Sequence, residues 1–583
     1  MSAAPTPGAA AGASAYEFTP GSGYVLPEYP FTEPPELAGG EMRRHPIVIV
    51  GAGITGLTMA CCLARLGVDA VLLDEDNTVG VQGASSRGIC YTQHSLEIFD
   101  RLGIYERISA KGVQWHVGRT FVGKEEVYSF DLRQQSNYGL SRQPALINIQ
   151  QFYIEGYLVE RIAALGHVDL RWKSRVTGFA QHAGHAVLTV HTPAGAYQLQ
   201  AEHVIDASGA QSPFHAWCGA TKTSRRGDDR WCMADVRLRN PLPLERRTWI
   251  EAAFNGNRCV SQQPMADKVW RFDYQLEPND ETANAEDAVR ERLRRQFGAQ
   301  IDYELVWLGH YAYRSQCLDH LRLGSVFFMG DSAKIVSPFG ARGGNTGVAD
   351  ADNLACKLAA VLQGRAPASL LESYHEERHE AALKNVHVTN RTARFLRPVD
   401  GIERLFRQAA TSLAGQHPFA RLLINTGRMA VANSYTRSGV CEHTGGKSVQ
   451  NVAFRWANGQ AGNNGTKAGA QGFVNDLLDW ARGDPLVLVF GDMSGEAGQR
   501  LRRLATLAPV RCVQVLGPDT RPRAREHIID PQGHLQGACH VFGHAWALLR
   551  PDGYLAATGE SVDTGLIQAV EHALGIKPSG STT

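Results

Sequence analysis

"PIVIVGAGITGL", Pro46 to Leu57, is the stretch from which the rest of the chain can be read. A short run of branched apolar residues predicts a buried strand, and "GLTMACCLARLG" predicts a helix ending at Gly67. Between them Gly51, Gly53 and Gly56 fall in the GxGxxG spacing. A strand before that spacing and a helix after it form the context in which it binds a dinucleotide. The first glycine makes the turn, the second lets the backbone approach a pyrophosphate, and the third lets helix pack on strand. An acidic residue should then end the second strand to hold a ribose. In "DAVLLDED" that residue is Asp74, 23 residues after Gly51. Pro46 to Ala64 carries no charge over nineteen residues, long enough to suggest a membrane span. Its branched start and three glycines favour strand, turn and helix instead, so no membrane span is expected.

A nicotinamide-binding fold and an FAD-binding fold share this signature, and "MGDSAKIVSPFGARGGNTGVADADNL", Met329 to Leu354, separates them. It follows an apolar strand in "GSVFFMGD" and leads into a helix whose apolar face is Val348, Ala351, Leu354, Leu358 and Val361. A nicotinamide dehydrogenase needs no second glycine-rich strand–loop–helix some 280 residues after the first. An FAD enzyme does, because the flavin end of the cofactor extends away from the first motif. Asp331 is placed to accept hydrogen bonds from ribityl hydroxyls. The helix after "GARGGNTG" would aim its N-terminus at the isoalloxazine, where it favours the negative charge of reduced flavin.

The chain has 583 residues, enough for two to four domains, and a net charge of +1, which argues against a nucleic-acid partner. Its eleven cysteines show no CxxC spacing, which fits free thiols in a reducing, cytoplasmic setting. The start lacks a basic and then apolar leader and reads as a flexible tail. The pattern along the chain predicts an α/β protein. Residues 1–44 are the tail. Residues 45–225 form the first part of a Rossmann-like FAD-binding domain, and 226–322 an inserted, mainly antiparallel β-sheet substrate domain. The FAD-binding domain is completed by 323–400. A helical region spans 401–456, a Gly/Asn-rich linker 457–472, and a small α/β domain 473–583. The linker is expected to carry few contacts, so that the flavin part should fold without the C-terminal domain.

With these motifs in place, residues 45–400 resemble the single-component FAD-dependent aromatic hydroxylases of the p-hydroxybenzoate hydroxylase type. The tail resembles the thioredoxin-like C-terminal domain of the larger members, such as phenol hydroxylase, pentachlorophenol monooxygenase and 3-(3-hydroxyphenyl)propionate hydroxylase. The resemblance implies noncovalent FAD, NADPH or NADH as co-substrate, and hydroxylation of a phenolic ring with dioxygen through a flavin hydroperoxide. It assigns Gly51, Gly53, Gly56 and Asp74 to the adenosine end and Arg87 to a cofactor contact. Gln151 is placed near the ribityl chain. Asp331, Gly343, Gly344 and Asn345 fall at the flavin end, with Pro338 beside the reactive carbon. The sequence departs from the family twice. "VIDASGAQSPF" has Ser208 where the family has an aspartate serving FAD and nicotinamide, although Gly209 and Ser212 fit. Lys334 stands where histidine is usual.

On the substrate side, alternation in "VWRFDYQL" puts Arg271, Asp273 and Gln275 on one face and Trp270, Phe272 and Tyr274 on the other. Arg271 and Asp273 are therefore candidate substrate contacts, with an ion pair on a solvated face as the alternative. Tyr91 and His116 are weaker candidates. The C-terminal domain has Cys512 and Cys539 but no CxxC, which excludes dithiol exchange and favours a structural role or a homodimer contact. No metal site is expected. A disulfide reductase lacks its CxxxxC and a halogenase its WxWxIP. A flavin oxidase, a hydroxylase of a polycyclic polyketide and a non-catalytic FAD-binding protein remain as alternatives.

Overall fold

The computed structural model describes residues 24–80, 88–240, 242–277, 286–398, 401–421, 423–424, 429–457, 469–490, 495–517, 526–541 and 543–576. Three eight-stranded sheets organise them. In the first, β1 (Arg43–Val50) lies between β2 (Ala70–Leu73) and β3 (Gly195–Asp206), and β3 is followed by β4 (Val326–Phe328), all parallel. The branched run of β1 is buried on both faces, as a parallel strand between helices must be. Helix α1 (Ile54–Arg65) and helix α2 (Arg342–Leu362) cover this sheet and cross closely. The crossing depends on small residues. A Cβ on Gly347 would overlap the Thr55 hydroxyl, and one on Gly330 would lie 2.6 Å from it. Among the described residues, no helix is long and apolar enough to cross a membrane.

The second sheet is antiparallel except for one pair, with Tyr303–Leu318, Lys222–Leu238, Val269–Gln275, Arg258–Pro264 and Arg246–Ala252 as consecutive neighbours. Its far edge corrects the expected boundary at 225. Val117–Val122 pairs in parallel with Arg246–Ala252, and Glu125–Asp131 continues the sheet, so residues 117–131 belong to this layer. One face packs its apolar residues, Phe272 and Tyr274 among them, around the helix Glu286–Phe297. The opposite face carries Arg271 and Asp273 and turns toward the first layer.

The third sheet corrects two further expectations. It takes Lys447–Ser448 and Ala453–Trp456 from the stretch read as helical, and Gln471–Phe473 from the stretch read as linker. Residues 458–468 of that linker lie outside the described residues. Nor are contacts between this layer and the rest few. Arg550 makes two hydrogen bonds to the buried carboxylate of Glu377 on helix α3 (Glu372–Leu396), one of them at 3.0 Å, and Tyr554 stacks on Tyr435 at 4.6 Å between ring centres. A cut in the linker would therefore leave a buried carboxylate short of its main partner.

Part of the predicted tail is also built in. Residues 1–23 lie outside the described residues, but Tyr29 stacks on Trp172 at 4.7 Å, and Glu36, 3% exposed, takes Arg171 at 3.0 Å and His45 at 2.7 Å. One aromatic ring stacked on Trp172 and a paired carboxylate anchor this segment, which its Pro and Gly content concealed.

Candidate functional site

The strand register builds the site. Leu73, Val50, Asp206 and Phe328 are paired neighbours, so β2, β1, β3 and β4 end on one level row. The segments that follow them carry Asp74, Gly51, Ser208 and Asp331, and all four emerge at the carboxyl edge of a parallel sheet, the edge where such folds bind ligands.

At the first motif the glycines serve different needs. Gly51 has φ 105°, and a Cβ there would lie 2.5 Å from the Ala207 carbonyl oxygen. A Cβ on Gly56 would overlap the Gly51 carbonyl oxygen. Both are demanded by packing. Gly53 differs, since nothing lies within 4 Å of where its Cβ would be. Its openness is what close approach of a pyrophosphate needs. Asp74, half-buried at the end of β2, accepts the Ala52 N–H at 2.5 Å and the Asp76 N–H at 2.8 Å. Burial nevertheless pushes its carboxyl up to about 6.

Arg87 lies outside the described residues, but the chain on both sides of it is held by one helical turn. The Gly80 N–H donates to Glu155 Oε2 at 2.6 Å, the Gly88 N–H donates to Gln151 Oε1 at 3.0 Å, and Gln151 Nε2 donates to Glu155 at 2.7 Å. Gln151 thus braces the chain just after Arg87, together with Glu155, which the sequence did not single out. Tyr91 is buried beside them, and its hydroxyl has no hydrogen-bond partner among the described residues.

At the second motif Asp331 sits in the turn Gly330–Ser332. Pro338 is exposed at the tip of the next turn, between buried Ser337 and Phe339, and its carbonyl accepts the Ala341 N–H at 3.2 Å. The Ser337 hydroxyl, like that of Tyr91, is buried without a partner among the described residues. Ala341, just before α2, is held at φ 56°, a left-handed conformation costly for a residue with a Cβ. Gly343 and Gly344 have no atom closer than 3.9 Å to their Cβ positions, so neither is required by packing. The first N–H groups of α2 have no carbonyl of their own helix to bond. Asn345 is a brace. It accepts the Thr92 N–H at 2.9 Å and donates to the carbonyls of Cys90 at 2.9 Å and Ala341 at 2.6 Å.

The open glycine, the N-terminus of α2 and the two buried hydroxyls without partners among the described residues fit a ligand the size of FAD laid along the row. A family model described as an FAD binding domain matches residues 44–389. The chain belongs to this FAD-binding family. The flavoprotein is 24% identical over 356 residues to a 3-(3-hydroxy-phenyl)propionate/3-hydroxycinnamic acid hydroxylase of Mycolicibacterium smegmatis, covering 61% of this chain and 62% of that one. The match thus spans about three fifths of that relative. A hydroxylase of the same description from Shigella sonnei is 23% identical over 547 residues, covering 90% and 93%. The flavin-dependent monooxygenase PieE, solved with FAD and substrate, superposes with a TM-score of 0.73 at 19% identity, covering 92% and 99%. At that identity the likeness shows the fold.

The flavoprotein's two departures have structural partners. Ser208 donates its hydroxyl to Asp206 at 2.6 Å, and Ser212 donates to the same carboxylate at 2.5 Å. Burial raises the Asp206 carboxyl, against those hydrogen bonds. Lys334, 2% exposed, pairs with buried Asp350.

On the second sheet Arg271 is 2% exposed, so its face is not solvated. It is turned onto Asp235, with Nη2 at 2.9 Å from Oδ2, and lies 5.3 Å from the Trp307 ring centre. Burial pushes the Asp273 carboxyl up to about 6, although Arg271 and Arg246 draw it down. Arg246, which sequence reasoning missed, is buried on this face and donates to the Met429 sulfur at 3.5 Å. The face meets the Pro338 turn where Trp231 packs on Phe339, 5.6 Å between ring centres. His116 is edge-on to exposed Tyr138 at 5.9 Å.

Proposed function

We propose that this flavoprotein is a monooxygenase that hydroxylates a phenolic aromatic substrate with dioxygen and NADPH or NADH. The observation that carries the reading is the meeting of the flavin-end turn with the buried polar face of the second sheet, at Phe339 and Trp231. A substrate between them is enclosed by protein on one side and bound FAD on the other. When bound, FAD takes hydride from the nicotinamide and, with dioxygen, supplies the oxygen atom transferred to the ring.

The chain's own residues do the rest. Asp74 accepts ribose hydroxyls and Gly53 admits the pyrophosphate. Asp331 accepts ribityl hydroxyls, and the N-terminus of α2 favours negative charge on the flavin ring. Pro338 stands beside the ring, while Trp231 and Phe339 keep water out of the chamber. Asp273 is the group placed to take a phenolic proton, since its raised pKa suits a base working near neutral pH. Arg271 is committed to Asp235 and positions the neighbouring strand. With Asp206 engaged by Ser208 and Ser212, the β3 loop offers no free carboxylate to the nicotinamide, which would bind transiently in a surface groove.

The proposal extends to the architecture. Leu486–Val489, Arg511–Leu516 and His527–Ile529 run parallel, and Trp546–Leu549 and Tyr554–Gly559 antiparallel, which supports a thioredoxin-like third domain. Its cysteines are free, so it would act as a structural element or homodimer contact. A cytoplasmic location goes with that reading. Screening phenols for stimulated NAD(P)H oxidation, with hydroxylated product and hydrogen peroxide both quantified, tests the function. One product per nicotinamide consumed is expected, and peroxide alone from every active compound would overturn it.

A further inference from the structure

Under helix α2 lies a continuous set of buried charges that the flavin site does not use directly. Asp350, fully buried on α2, accepts the Gly330 N–H at 3.1 Å and pairs with Lys334. One carboxylate thus pins both ends of the turn that carries Asp331. Asp350 is held in turn by Arg378 of α3, whose Nε lies 2.7 Å from Oδ1. Arg378 also donates to the Thr346 carbonyl, in the first turns of α2, at 3.2 Å and to the Tyr435 hydroxyl at 2.9 Å. Burial works against these charges, but Lys334 and Arg378 outweigh it and hold the Asp350 carboxyl below its ordinary value.

The set continues into the third sheet. Tyr435, at the end of that relay, is stacked on Tyr554 with 22° between ring planes. Glu377, the residue before Arg378, is fully buried and gathers Arg550 at 3.0 Å, Lys357 of α2 at 2.8 Å, Asn353 of α2 at 2.6 Å and the Ser438 hydroxyl at 2.5 Å. Two consecutive residues of α3 are therefore each tied to α2 on one side and toward the third sheet on the other, Glu377 through Arg550 in the turn after Trp546–Leu549 and Arg378 through the Tyr435–Tyr554 stack.

We infer that Arg550 and Tyr554 are positioning residues for the flavin end of the site, acting through Glu377, Arg378 and Asp350 on the Gly330–Lys334 turn and the start of α2. The C-terminal domain, without redox cysteines, thereby fixes the cradle in which FAD is held. The inference rests on the FAD-binding assignment and not on the proposed hydroxylation, so its test is read in FAD binding.

The test uses full-length apoprotein titrated with FAD, with flavin fluorescence quenching giving Kd and visible circular dichroism reporting the flavin's surroundings. Tyr554→Leu removes the stack and Tyr554→Phe keeps it. Val570→Ala, in the apolar core of the third domain away from the relay, controls for general destabilisation. Tyr554→Leu is expected to raise Kd at least tenfold and change the visible dichroism. Tyr554→Phe should stay within about threefold of the parent, and Val570→Ala should lower Tm without changing Kd. Wild-type Kd and dichroism in Tyr554→Leu, or equal weakening by Val570→Ala, would overturn the inference. If Tyr554→Leu does not fold, Arg550→Lys carries the test. It keeps the charge but loses the two-point grip on Glu377, so unchanged Kd and dichroism there count against the inference equally.

Discussion

Gly56 lies so close to Gly51 that a methyl group added to it would overlap the Gly51 carbonyl oxygen, whereas Gly53, between them in sequence, faces open space. The two glycines should therefore fail differently. Gly56→Ala is expected to destabilise the apoprotein by about 2–3 kcal/mol, because backbone must move to admit it. Gly53→Ala should leave apoprotein unfolding in urea unchanged and weaken FAD at least tenfold. Equal loss of stability in both variants would contradict the assignment of Gly53 to the cofactor.

Asp331 stands in a turn fixed from both sides, so its carboxylate cannot be replaced by movement of a neighbour. Asp331→Ala should weaken FAD by about 1–3 kcal/mol, roughly 5- to 150-fold, through hydroxyls left without an acceptor. Equilibrium titration of the apoprotein decides this, and unchanged affinity would remove Asp331 from the site.

The raised pKa of Asp74, about 6, gives FAD binding a pH dependence. Below that value the carboxyl is protonated and a poorer acceptor of two ribose hydroxyls. Affinity should rise as pH climbs from 5 to 7.5, and Asp74→Asn should flatten the rise. The same shift has a cost in the apoprotein. A carboxyl whose folded pKa lies above its unfolded value makes the fold lose stability as pH rises between the two. Apoprotein stability should thus fall between about pH 4 and 6, less so in Asp74→Asn. An FAD affinity that does not vary over this range would contradict the ribose contact.

Asp273 shares the raised value and offers a separate test on the substrate side. Turnover of the right phenol should increase through pH 6 as Asp273 ionises, and Asp273→Asn should lose that limb while binding FAD normally. Arg271→Met is expected to reduce stability instead, because it strands the buried Asp235 carboxylate. If Asp273→Asn kept the pH profile of the parent, the proton acceptor would have to be sought elsewhere.

What could be read from the sequence was local. The GxGxxG turn, Asp74 and the glycine-rich stretch after Asp331 each announce themselves within about a dozen residues, because strand, turn and helix signals adjoin there. What could not be read was pairing between distant segments. Arg246–Ala252 lies beside Val117–Val122, a neighbour more than a hundred residues earlier, and neither run carries a mark of the other. Arg550 and Glu377 are each ordinary in sequence. They matter because two layers meet at that point, and charge alone does not say which surface charges become buried. Gly347 shows the opposite case: it belongs to the glycine-rich stretch, yet the Thr55 hydroxyl is what requires it.

The level ends of β1 to β4 also limit how this chain can change length. One extra residue inside any of the four would advance its motif by about 3.3 Å and turn its alternate side chains to the other face. New material has to enter beyond the row. One long excursion already present runs from the end of β3 at Asp206 to the start of β4 at Val326, and most of the second sheet is carried within it. The chain leaves the row, builds these strands and returns to the adjacent place. Sheets of different chemistry could be exchanged at those two points while the four motif segments keep their spacing, so that, on the proposed reading of this sheet as the substrate side, substrate range can drift in a lineage whose cofactor site stays still.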